Sequence, residues 1–270
     1  MPKPMINAED FKLQESLGKI KHIIIVMSGK GGVGKSTVSS NIAMALSMKG
    51  YQTGIMDVDI TGPNIPKMFG VEYEQLDVQD ESLIPVLVPP SLKVISMEFL
   101  LPNKDSAIVW RGPVKGTAIR QFIEDVEWGD LDYLVVDMPP GTGDEAISVA
   151  QLMKKADGIV LVTTPQDVAL MDCRKTVTFS AQVEIPIIGL IENMSGFVCP
   201  HCGEITEIFK SGGGVATAKN MNIQFLGKIP IEPKIVDSGD SGMPIVIDAP
   251  ESESAKAFNT IVDKIIKTVE

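Results

Sequence analysis

Short apolar runs alternate along the chain with longer stretches in which apolar residues return every three or four positions. The runs at 23–27, 53–56, 131–136, 158–162, 185–191 and 225–229 are bounded by polar or turn residues, which predicts buried strands. The helical spacing covers 36–48, 144–155, 168–180, 215–221 and 252–269. The first of these stops at Lys49-Gly50, and Asp167 precedes the third in the place of an N-cap. In the last, Phe258, Ile261, Val262, Ile265, Ile266 and Val269 share one stripe, which suits core packing. A further helical pattern opens at Trp110-Arg111-Gly112-Pro113 and reaches Val126. Residues 65–92 are loop-rich, with a short strand pair expected around 83–88 and 93–97. Residues 1–20 read as a short, partly helical lead-in, and 21–270 as a single domain without repeats. Strands alternating with helices predict an α/β fold, a mostly parallel β-sheet flanked by helices on both faces.

Composition narrows the class. The 270 residues are 44% apolar and 22% charged, enough to build a large core without staples. The net charge of −11 opposes a phosphate backbone, so no nucleic-acid partner is expected. No apolar run is long enough to span a bilayer, and no signal-peptide core precedes residue 20. The closing helix begins among Glu251 and Glu253 and carries few lysines, which argues against membrane binding. Three cysteines do not make a disulfide framework, so a cytoplasmic protein is expected.

The candidate chemistry starts where the first strand ends. Gly29, Gly34, Lys35 and Ser36, within Gly29-Lys30-Gly31-Gly32-Val33-Gly34-Lys35-Ser36-Thr37, fit G-x-x-x-x-G-K-S/T between a strand and a helix. Glycines let successive N–H groups turn toward phosphate oxygens, and the helix start adds its positive end. Lys35 is expected on the β- and γ-phosphates of ATP and Ser36 on Mg²⁺. The strand at 53–56 runs into Asp57-Val58-Asp59-Ile60-Thr61-Gly62-Pro63-Asn64, carboxylates at the carboxyl end of a parallel strand. Asp57 is expected to hold Mg²⁺ through water and Asp59 to orient the attacking water; an acidic loop cap is the structural alternative. Four apolar residues then Asp137 make a Walker B pattern, a second Mg²⁺ carboxylate. The following Pro139-Pro140-Gly141-Thr142-Gly143 reads as a loop that senses the γ-phosphate. Arg111 is either a structural cap or a contact to partner or nucleotide.

Cys199-Pro200-His201-Cys202 is the remaining motif. Two thiols do not complete a tetrahedral Zn²⁺ or an Fe–S site, and Cys173, among apolar neighbours in a helical stretch, reads as a buried thiol. A two-fold dimer giving Cys199 and Cys202 twice would supply four thiolates, suited to a bridging [4Fe-4S] cluster; a structural zinc site is the alternative. His201 is a spacer or a tuning residue, and no thioredoxin-type pattern surrounds the pair.

Taken in order, the P-loop with its second lysine Lys30, Asp57 to Asn64, Trp110-Arg111-Gly112-Pro113, Asp137 to Asp144, Thr163-Thr164-Pro165-Gln166, Glu192-Asn193-Met194-Ser195 and Cys199-x-x-Cys202 resemble the Mrp/ApbC family of iron–sulfur cluster carrier ATPases. The likeness covers about residues 20–268. It implies a P-loop NTPase of the nitrogenase iron protein and MinD type, a homodimer in which Lys30 crosses to the partner's ATP, and slow hydrolysis. It implies a [4Fe-4S] cluster bridged by Cys199 and Cys202 of both chains and handed to apo iron–sulfur proteins within the cluster assembly proteins' network. It places Asn193, Pro230 and Glu232 where relatives hold adenine. The extra N-terminal domain of some members has no counterpart in the lead-in. Rival readings are a partition-type ATPase switch bolted by zinc, an ATP-dependent electron-donating reductase component, and a small-molecule kinase.

Overall fold

The run at 23–27 lies in the middle of the sheet, with strands hydrogen-bonded on both sides. The computed structural model describes residues 8–59, 62–79, 82–100, 112–199 and 201–270. In chain order it contains α1 (Ala8–Gly18), β1 (Ile20–Ser28), α2 (Lys35–Met48), β2 (Thr53–Asp57), α3 (Ile65–Met68), β3 (Asp77–Gln79), β4 (Ser82–Ile84), β5 (Val86–Val88) and β6 (Leu92–Ser96). A 3-10 turn at Met97–Leu100 precedes α4 (Gly112–Glu124), β7 (Leu131–Asp137), α5 (Asp144–Leu152), β8 (Gly158–Thr163), α6 (Asp167–Gln182) and β9 (Ile187–Glu192). Then come β10 (Phe197–Val198), β11 (Ile205–Thr206), α7 (Gly213–Asn220), β12 (Phe225–Lys228), α8 (Pro233–Ser241), α9 (Ile245–Asp248) and α10 (Glu253–Val269).

The main sheet runs β12-β9-β8-β1-β7-β2-β6-β5, and every neighbouring pair is parallel except β5 with β6. Alternate residues of β1 feed two cores. Ile23, Ile25 and Met27 face a layer holding Phe122, Trp128 and Val149, while Ile24 and Val26 face one holding Ile42, Phe258 and Ile261. Burial on both faces explains why the strands read as unbroken apolar runs. The chain leaves β1 for β2 on one side and later places β8 on the other, so β1 ends at a topological switch point, where ligands of open α/β sheets bind.

The closing helix buries Phe258, Ile261, Val262 and Ile265, as its stripe predicts. The lead-in becomes α1, whose Leu17 is buried in the first core. Several boundaries differ from expectation. Asp167 is not an N-cap: Gln166 holds that position without a side-chain bond, and the Asp167 carboxylate pairs with Lys210 at 2.8 Å. Helix α5 ends at Leu152, three residues early, and β9 starts at Ile187. The expected strand pair is β5 with β6, but Leu83 belongs to a separate hairpin with Val78. The sequence pattern does not predict the short α3, α8 and α9; α8 contains Gly239 and stops at a left-handed Gly242, so its sequence has the look of a loop. Among the described residues no helix is long and apolar enough to cross a membrane.

Candidate functional site

Strand β1 delivers Ser28 to the switch point, and the loop after it wraps back to start α2 at Lys35. Gly32 and Gly34 take left-handed φ values of 79° and 81°, which only glycine adopts without strain. A Cβ on Gly34 would also strike the side-chain amide of Asn193, and one on Gly29 the backbone of Asp172 on α6. Gly34 caps α2 with no side chain, leaving the first N–H groups to the loop's interior. Gly31, Gly32, Lys35, Ser36, Thr37 and Asp59 line a cavity of about 220 Å³ there. Val33 is buried and anchors the loop.

Asp137 is fully buried at the end of β7 and collects three donors: Lys35 Nζ at 2.8 Å, Ser36 Oγ at 2.7 Å and Ser39 Oγ at 2.6 Å. Asp57 stands opposite Asp137 in the β2–β7 register. It accepts from Asp59 N, Ile65 N and Ser96 Oγ. Burial, and then the charge of Asp137, push the Asp57 carboxyl up to about 8, while the Lys35 ammonium opposes the rise. Asp59 is nearly buried and accepts from Gly62 N at 3.3 Å. Lys30 stays half-buried at the loop edge and pairs with no carboxylate among the described residues. In the loop between β7 and α5, Gly141 N donates to Ser28 O at 2.8 Å, which sets that loop against the start of the P-loop. Thus the structure gathers Gly29 to Thr37, Asp57, Asp59 and Asp137 at one point. Trp110, Arg111, Ile60, Thr61 and Pro200 lie outside the described residues.

A second cavity, of about 370 Å³, shares Gly34 and Thr37 with the first and is walled by Asn193, Met194, Phe209 and Pro230. Asn193 Nδ2 donates to Val33 O at 2.9 Å, tying the end of β9 to the P-loop. Glu232 also lines this cavity, but its carboxylate accepts from Glu253 N and Ser254 N at the start of α10.

The cysteine motif forms the turn of the β10–β11 hairpin. Cys199 N donates to Glu204 O, Gly203 N to Cys199 O, and Gly203 is left-handed at φ 74°. Both thiols are free, Cys199 half-buried and Cys202 exposed. The amide of His201, then the amide and thiol of Cys202, donate to the Cys199 sulfur and hold its thiol below the ordinary range. Cys173 is buried on α6, apart from them, and burial pushes its thiol up to about 12. Among the described residues no group of three or more His, Cys, Asp or Glu side chains is arranged to hold a metal ion.

Ser39, Ser96 and Phe209 escape motif reading, and Glu192 is caught only as the first residue of Glu192-Asn193-Met194-Ser195, with no role assigned. Ser39 sits one helical turn after Lys35, a spacing that could have flagged it. Ser96 reaches Asp57 only because β6 pairs with β2. Glu192 is fully buried and holds Ser195 Oγ, Gly212 N and Gly214 N, both feet of the cysteine excursion. Phe209 arrives at the second cavity from beyond the hairpin.

A family model described as "ParA: NUBPL iron-transfer P-loop NTPase" matches residues 19–266. The chain is 48% identical over 265 residues to an "Iron-sulfur cluster carrier protein" of Saccharolobus solfataricus, covering 98% of this chain and 90% of that one. It is 52% identical over 231 residues to a "Cytosolic Fe-S cluster assembly factor CFD1" of Kluyveromyces lactis, covering 83% and 82%. Among solved structures, a nucleotide-binding protein of Archaeoglobus fulgidus in complex with ADP superposes with a TM-score of 0.80 at 39% identity, covering 92% of this chain and 96% of that one.

Proposed function

The chain belongs to the ParA-type family of NUBPL iron-transfer P-loop NTPases, and from that premise we propose that it is an ATP-hydrolysing iron–sulfur cluster carrier of the cytosol. It works as a homodimer, holds a [4Fe-4S] cluster as cargo between Cys199 and Cys202 of both chains, and hands it to apo-proteins. The observation that carries this is a hairpin with two free thiols and, among the described residues, no group of three or more side chains arranged to hold a metal, on a strand end that Asn193 ties to the P-loop. Relatives named as cluster carrier and cytosolic assembly factor support the same reading.

In this reading Lys35 exchanges Asp137 for the β- and γ-phosphates. Two buried carboxylates and the Ser36 hydroxyl are hard oxygen donors that fit Mg²⁺, so Ser36, Asp57 and Asp137 would hold it. Held there, the ion would neutralise charge on the phosphate oxygens. Asp59 orients the water that attacks the γ-phosphorus; the bond to the β–γ bridging oxygen breaks and ADP leaves. Lys30 reaches the partner's phosphates, and Asn193, Pro230 and Glu232 border the base.

Anaerobic reconstitution with iron and sulfide tests this. The wild type should bind about four iron and four sulfide per dimer and transfer them to an apo-protein; Cys199→Ala should do neither. Lys35→Ala should lose ATP hydrolysis while still folding. Zinc in place of iron with no transfer would replace the carrier with a partition-type switch bolted by metal. ATP-driven reduction of a partner without cluster loss would make it a reductase component.

A further inference from the structure

The cavity of about 370 Å³ is lined by Phe209, which lies between the cysteine hairpin and α7. The chain leaves β9, forms β10, the cysteine turn and β11, and returns to α7. Its feet are fixed firmly. Ser195 N donates to Ile229 O at 2.9 Å and Ile231 N to Gly196 O at 2.7 Å, while Glu192 binds both ends. Its body is not. The paired strands are two residues each, Ile205 is 68% exposed and Ile208 53%. The ion pair from Lys210 to Asp167 is solvent-exposed and therefore weak. A two-stranded ribbon of this length is not stable by itself.

Phe209 comes from this loosely held body, between β11 and α7, and lines the cavity with Met194, Ile231 and Val236. Val236 is 64% exposed, an apolar face turned to a cavity that also meets the P-loop at Gly34. An aromatic ring beside an apolar wall, next to a phosphate loop, suits the flat face of a nucleobase.

The geometry points to Phe209 as the link between the two sites: a base bound in the cavity rests on its ring and so restrains the hairpin that carries Cys199 and Cys202. This deepens the ATP-binding reading above and rests on it. Phosphates alone, held by the P-loop, leave the ring untouched and the hairpin free. Base occupancy, not phosphate occupancy, then decides how exposed the two thiols are.

The test uses the full-length, cluster-free protein under anaerobic conditions. Binding of ADP and of pyrophosphate is measured by calorimetry, and alkylation of each cysteine by iodoacetamide is followed by peptide mass spectrometry. ADP leaves the γ-phosphate position empty, so pairing driven by that phosphate does not enter. Saturating ADP should slow alkylation of Cys199 and Cys202 by about three-fold or more, as a restrained segment opens less often, and pyrophosphate should not. Phe209→Ala should weaken ADP on the order of ten-fold, leave pyrophosphate binding unchanged and abolish the protection; Phe209→Tyr should restore both. Cys173, buried, is the internal control for intact folding. Equal protection by pyrophosphate, or protection surviving in Phe209→Ala, would overturn the link alone. Failure of the wild type to bind ADP at all would remove the nucleotide reading with it.

Discussion

At the scale of single residues, the site depends on conformations and charges that few side chains tolerate. Gly34 combines a left-handed φ with a Cβ direction already filled by Asn193. Gly31 has neither constraint: its φ is not left-handed and nothing lies within 4 Å of its would-be Cβ. Gly34→Ala should therefore cost roughly 1–3 kcal/mol of stability and lose nucleotide binding, whereas Gly31→Ala should leave urea unfolding unchanged. Asp57 carries the other residue-level prediction. An unfolded aspartate titrates near about 3.9, but the native Asp57 keeps its proton up to about 8. Below the lower value both states are protonated and nothing is lost. As pH rises through the window the unfolded chain releases a proton that the native one retains, so native stability falls, opposite in sign to a salt-bridged carboxylate. In chelator-treated protein Asp57→Asn should thus be the more stable variant at pH 8, by a margin that shrinks toward pH 5. A margin that does not change with pH would show that burial does not hold the proton there.

At the scale of elements, the end of β9 does most to organise the site. Glu192 closes the strand with its carboxylate on Ser195, Gly212 and Gly214, and Lys228 lies 4.0 Å away. Glu192→Ala would leave the buried Gly214 amide and the part-buried Gly212 amide without their acceptor and take one partner from the Ser195 hydroxyl, a loss of about 3 kcal/mol in urea unfolding. Glu192→Gln keeps an acceptor and should lose less. Nothing in the run at 185–191 announces this, because two of the three groups that need Glu192, the Gly212 and Gly214 amides, follow some twenty residues later. The same distinction separates what was legible from what was not. Parallel strands buried on both faces show themselves as apolar runs, and the P-loop is a local spacing, so both could be read directly. Asp57 and Asp137 could be read because each ends such a run. Ser96, Glu192 and Phe209 gain their roles only when β6 joins β2 and the hairpin folds back on the cavity, a pairing that no window of sequence contains. Helix α8 was missed for a different reason: its glycines imitate a loop, and only Pro233 at its first turn hinted at a helix.

At the scale of the whole molecule, the features left unused by one chain lie on neighbouring elements. Lys30 has no carboxylate partner among the described residues. Val168 and Met171 expose apolar side chains on α6, the helix against which Gly29 packs. Ile205 and Ile208 do the same on the hairpin, which Lys210 ties to Asp167 on α6. Exposed apolar side chains on elements linked to the P-loop and to the cysteine hairpin are what a second copy would cover, and complementation distinguishes that from a lysine serving its own chain. Lys30→Ala and Lys35→Ala should each be inactive as pure proteins. In a mixed dimer, the Lys30→Ala chain keeps its own Lys35 and receives Lys30 from its companion, so one site of the pair is complete. An equal mixture, with chains exchanging at random, should therefore recover about a quarter of the wild-type hydrolysis rate. If Lys30 acts within its own chain, every site in every mixed dimer lacks one lysine, and the mixture stays as inactive as its parents.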